Sequence, residues 1–99
     1  MDREIEFSRR FVAQLQKILT FYDERNGSSA YSRRLVQMLM SDLRRVAMMP
    51  TASCPSTRPD TRFFYLMGFT IVFRYTENKV TALSIRSSAR SPLSIYQKA

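Results

Sequence analysis

The chain has 99 residues and carries 16 basic against 8 acidic side chains, a net charge of +8. Hydrophobic residues make up 44% of it and charged residues only 24%, a globular composition with room for one domain, spanning 1–99. It has no histidine and a single cysteine, Cys54, which excludes His-dependent triads, zinc sites built on His or several Cys, and an intrachain disulfide.

Glu4-Ile5-Glu6-Phe7 alternates polar and apolar side chains, the period of a short half-buried strand. Ser8 offers an N-cap oxygen for a following helix. Phe11, Val12, Leu15, Ile18, Leu19 and Tyr22 then trace one helical stripe, and Asn26-Gly27 ends it. Ser28 or Ser29 is placed to cap a second helix, with Tyr31, Leu35, Met38, Leu39, Leu43, Val46 and Ala47 as its buried stripe. Arg33, Arg34, Arg44 and Arg45 read as its solvated face, with contact to RNA or a partner protein as the alternative. Pro50 marks the end. So short a connection between the stripes implies an antiparallel helical hairpin. Met38, Met40, Met48 and Met49 are expected to fill the core, or else to form an adaptable groove.

Pro50, Pro55 and Pro59 among Ser and Thr make residues 50–60 a loop. Thr61 to Leu66 reads as a strand, Met67-Gly68 as a turn, Phe69 to Tyr75 as a second strand, Glu77-Asn78 as a tight turn and Lys79 to Arg86 as a third strand. Ser91-Pro92 suggests a short terminal helical turn. The expected fold class is α+β in the order β-α-α-β-β-β, with the hairpin packed on one face of a small, mostly antiparallel sheet. The charged opening residues carry no signal-peptide pattern, and the most apolar run, Phe63 to Phe73, falls far short of the ~20 residues of a spanning helix. A soluble, cytoplasmic protein with no membrane partner is expected. Arg supplies 13 of the 16 positive charges, a bias toward forked contacts with phosphate or carboxylate.

The ordered set resembles the RelE/ParE superfamily of toxins from bacterial type II toxin–antitoxin pairs. Its parts are the strand ending in Ser8, the hairpin with Arg33-Arg34-Leu35 early in its second helix, and Gly68-Phe69-Thr70-Ile71-Val72-Phe73-Arg74. The Glu77-Asn78-Lys79-Val80 turn and Ala82-Leu83-Ser84-Ile85 complete it. Members typically show glycine, an aromatic, a basic residue, two aliphatics and an aromatic in the central segment. The resemblance implies one of two activities. RelE-like members enter the ribosome and cut messenger RNA without a metal or cofactor. ParE-like members inhibit DNA gyrase. It also implies a small, partly acidic antitoxin that silences the toxin.

Metal-free RNA cleavage needs a base, cations on the phosphorane and an acid for the leaving oxygen. By its resemblance to the RelE-like nucleases the chain would use Arg90 and Tyr96 as the catalytic pair. Arg58, Arg62, Arg74 and Arg86 are the phosphate-binding candidates; Arg62, Arg74 and Arg86 are able to share one phosphate if their strands are neighbours, and Arg58 offers a cation from the loop. Thr61, Phe63 and Thr70 stand where RelE-like nucleases are usually basic. Arg62, between the first two, points to the opposite face by strand alternation. RNA cleavage is the leading expectation and gyrase inhibition the second. A basic nucleic-acid-binding domain that stacks bases on sheet aromatics is the third.

Overall fold

The computed structural model describes residues 3–88. The chain runs β1 (Glu4–Phe7), α1 (Arg9–Asn26), α2 (Ala30–Met48), a short 3-10 turn (Pro50–Ala52), β2 (Cys54–Pro55), β3 (Thr61–Leu66), β4 (Phe69–Tyr75) and β5 (Lys79–Ser87). The expected α+β order is present, and the terminal turn after Ser91-Pro92 lies outside the described residues. No helix among the described residues is long and apolar enough to cross a membrane.

The five strands form one sheet in the order β1-β5-β4-β3-β2. The meander β3-β4-β5 is antiparallel, and β1 lies parallel to β5, pairing Glu4–Phe7 with Lys79–Ala82. A parallel pair needs a long crossover, and the two helices supply it. β2 sits in a segment that reads as loop from its prolines. Cys54 and Pro55 pair with Phe63 and Arg62 at the sheet edge, one of the few places a strand tolerates proline.

Local chemistry sets the helix ends. The Ser8 hydroxyl accepts the Phe11 N–H at 3.0 Å, and Gly27 closes α1 in the left-handed conformation, φ 67°, where glycine carries no Cβ penalty. At the start of α2 it is Ser28 whose hydroxyl receives the Ala30 N–H. The helices are cross-linked by Ser32, which donates to Asp23 Oδ1 at 2.5 Å and lies within reach of the Leu19 carbonyl at 3.3 Å. In the β3–β4 turn both Met67 and Gly68 have positive φ, as a two-residue hairpin twisted to match its strands requires.

Both helices pack on the same face of the sheet. Phe11 from α1, Leu35, Leu39, Leu43, Val46 and Ala47 from α2, and Phe69, Ile71, Phe73, Val80, Ala82 and Ile85 from the strands form the buried core. Four residues expected in the core are exposed instead. Val12 and Met38 lie on the rims of their stripes and are exposed, and Met48 and Met49 are 66% and 60% exposed at the end of α2. Of the four methionines expected in the core, Met40 alone packs against it.

β5 carries one residue more than β4 between two paired segments. Val72 faces Ser84 and Phe73 faces Ala82, so Leu83 is the inserted residue of a β-bulge. Ser8 fixes it, its hydroxyl donating to the Leu83 carbonyl at 3.0 Å and its N–H to the Ala82 carbonyl at 2.9 Å. Beyond the end of β1, the Gln14 side chain accepts the Ile85 N–H at 2.9 Å. Replacing Ser8 removes a helix cap and orphans a part-buried carbonyl together. Ser8→Ala is expected to lower stability by about 2 kcal/mol in urea unfolding, with Ser8→Thr retaining most of it.

Candidate functional site on the open face of the sheet

Strand alternation leaves the face opposite the helices with its own set of side chains. Register places them in three rows across β3, β4 and β5. Tyr65, Thr70 and Arg86 form one end, Phe63, Val72 and Ser84 the centre, and Thr61, Arg74 and Thr81 the other end. Neighbouring strands are about 4.8 Å apart, and the end rows are four residues, or about 13 Å, apart along the strands.

The centre is apolar and aromatic. Phe63 and Tyr65 meet edge to face with ring centroids 5.6 Å apart, and Tyr65 is 63% exposed. Three aromatics in succession, Phe63-Phe64-Tyr65, cannot all face one way on a strand. Phe64 turns inward onto Phe73, which sends its two neighbours outward. That alternation was the available signal for an exposed aromatic pair. The expected stacking platform is reduced to these two rings, because Phe69 and Phe73 are buried and Phe64 and Tyr75 pack against the core.

The candidate cations do not converge on one point. Arg74 and Arg86 are exposed on neighbouring strands but at opposite ends of the face. Arg58 shares the Arg74 end, its carbonyl accepting the Thr61 N–H at 3.2 Å. Arg62 faces the helix side and is engaged within the fold. Its guanidinium donates to the Ser53 carbonyl at 2.7 Å, the Thr51 carbonyl at 3.2 Å and the Ser53 hydroxyl at 3.3 Å, tying the 3-10 turn to β3. A single phosphate shared by Arg62, Arg74 and Arg86 is therefore not what this arrangement offers. Arg90 and Tyr96 lie outside the described residues.

Thr61, Phe63 and Thr70 all belong to this face. At the three positions where a phosphate clamp would need cations stand two threonines and a phenyl ring; the buried Thr61 donates its hydroxyl to Asp60 Oδ1 at 3.1 Å, and the Thr70 hydroxyl is within 2.6 Å of that of Ser88. The nine row positions include no carboxylate. Glu6, beside Thr81 on β1, is paired with Lys79 at 3.3 Å. Among the described residues no three His, Cys, Asp or Glu side chains gather to hold a metal ion. Arginine stays protonated and stabilises negative charge but does not take a proton. The face has an apolar centre and cationic ends.

The sequence matches the ParE toxin of the type II toxin–antitoxin system parDE over residues 5–92. The chain belongs to the ParE toxin family. Two solved structures share the fold of this ParE-family chain. One is of the chromosomal ParDE toxin–antitoxin system from P. aeruginosa, with 20% identity and a TM-score of 0.70 over 86% of this chain and 95% of that one. The other is a mutant of the E. coli toxin RelE in complex with the antitoxin peptide RelBc, with 18% identity and a TM-score of 0.67 over 97% and 92%. No curated protein matches the sequence. The family makes this chain the toxin of a type II toxin–antitoxin module.

The division between structural and exposed arginines can be measured. Arg62→Met is expected to cost about 1–2 kcal/mol and to speed amide exchange at Ala52 and Ser53, whose turn it holds. Arg74→Gln with Arg86→Gln should leave the unfolding free energy in urea within about 0.5 kcal/mol of the parent.

Proposed function

We propose that this ParE-family toxin acts by binding a protein target through the open sheet face, and that the target is DNA gyrase. The observation that carries the reading is the neutral character of Thr61, Phe63 and Thr70 on that face. An RNA-cleaving site needs cations held close to the scissile phosphate and a group that takes the 2′-hydroxyl proton. The rows hold a phenyl ring and two threonines there; each threonine has one arginine across the strand, Arg74 beside Thr61 and Arg86 beside Thr70, and the two arginines stand too far apart to clamp one phosphate. An exposed Tyr beside a Phe, flanked by arginines, has the composition of a protein-binding hot spot. Gyrase as the target follows from the resemblance to ParE-like toxins. A partly acidic antitoxin, which the resemblance also implies, would complement the +8 charge.

Two assays on purified toxin separate the alternatives. Supercoiling by gyrase should be inhibited, while messenger RNA in a cell-free translation reaction remains uncut. Tyr65→Ala should weaken inhibition by about 2 kcal/mol, roughly thirtyfold, with the fold intact by circular dichroism. Ribosome-dependent cuts that disappear in Arg90→Ala, with normal supercoiling, would instead make the chain a nuclease.

A further inference from the structure

The solvent face of α2 is cationic over its whole length. Its exposed positions include Arg33, Arg34, Arg44 and Arg45, with Gln37 and Ser41 between the two pairs. The only carboxylate of the helix is Asp42, whose side chain is 19% exposed and pairs with Arg45 at 2.8 Å. Arg45 remains 70% exposed, and a guanidinium has donors to spare after one such contact. Arg33 also reaches the Ser29 hydroxyl. Among the described residues Arg34 and Arg44 have no hydrogen bond or ion pair from their side chains.

The two arginine pairs are eleven residues apart, about 16 Å along the helix and within about 20° around it. They therefore point the same way. Phosphates on the two rims of a major groove about 12 Å wide lie at a comparable separation once their own radii are added. All four positions hold arginine and none lysine, which favours forked contacts to phosphate oxygens. Between the pairs lie an amide and a hydroxyl, groups that donate to phosphate, where an amphipathic acidic helix would need an apolar row. Met38 flanks the stripe and Met48 lies beyond its end.

We propose that the exposed face of α2 binds the sugar–phosphate backbone of duplex DNA, one arginine pair to each rim of a groove. The opposite side of α2 is buried against the sheet, so this surface is separate from the open sheet face. It is read out on bare DNA and stands apart from the gyrase reading. Where both hold, the toxin grips an enzyme with its sheet and that enzyme's DNA with its helix.

Fluorescence anisotropy with a short labelled duplex tests this across salt. Three to four neutralised phosphates give a log–log salt slope of about −3, an affinity loss of roughly a hundredfold between about 50 and 200 mM salt. Arg34→Gln with Arg44→Gln should make the slope shallower by about 2 and weaken low-salt binding at least about tenfold. Arg9→Gln with Arg10→Gln removes the same charge from α1 and should change affinity less than about twofold. If the α2 double variant does not fold by circular dichroism, Arg44→Gln alone should reduce the slope by about 0.9. Equal losses in the two double variants would reduce the effect to net charge and overturn the assignment. So would tighter binding to single-stranded RNA of the same length, or to a glutamate-rich peptide.

Discussion

The inserted residue Leu83 decides which way the end of β5 faces. Val80 and Ala82 point into the core, and strict alternation would carry Ser84 and Arg86 inward after them. One extra residue reverses the phase. Ile85 then enters the core, completely buried, while Ser84 and Arg86 join the open face. Without the bulge an arginine would lie against the helices, and the open face would lose the cation at one of its ends. A bulge frees backbone groups from the ladder, so its survival depends on finding them other partners. Ser8 and Gln14 provide these, one at the Leu83 carbonyl and one at the Ile85 N–H. Ser8 caps α1 and Gln14 lies in its second turn, so the helix that covers the sheet also sets its register.

This arrangement explains why a small chain can display so much of one sheet face. Both helices are used on one side, and the core they build reaches from Phe11 to Ile85. The open face therefore need not be apolar throughout, and its composition is free to follow function. The mixture found there, two aromatic rings and a valine among hydroxyls with arginines at the ends, gives area to bury and charge to orient a partner.

The helices and the meander were legible because each has a strong local signal. Ser8 before a helical stripe, Gly27 after it and Met67-Gly68 between alternating runs all occur where the structure needs those conformations. The parallel pairing of β1 with β5 was not legible, since its hydrogen bonds join residues about 75 apart in sequence and leave no local mark. The short β2 was hidden by its own proline. The bulge had a trace. Val80 and Ala82 share one phase and Leu83 and Ile85 the other, so the apolar pattern of β5 shifts by one residue at its middle. Helical periodicity overstated burial at Val12 and Met38 because a stripe on a small protein has rims that its sheet cannot cover. At the site, alternation correctly turned Arg62 away from the open face. Its contacts with the carbonyls of Thr51 and Ser53 depend on the path of a loop that composition does not specify.

Charge is the property for which sequence and structure differ most in meaning. A sum of +8 treats every arginine alike, yet they fall into distinct classes. Arg62 braces a loop. Arg3 holds the Ala47 carbonyl at 3.0 Å near the end of α2 and lies over the Tyr75 ring, 5.7 Å from its centroid. A cation there also opposes the negative end of the helix dipole. These two have used much of their donor capacity within the chain and add little to recognition of an anion. Arg74 and Arg86 mark the ends of the sheet face, and four more line α2 on the other side. Part of the exposed charge therefore lies on two surfaces facing away from each other, with a hydrophobic core between them, while Arg9, Arg10, Lys17 and Arg25 add more along α1. Two surfaces of this kind can engage two partners, or two parts of one assembly, at the same time.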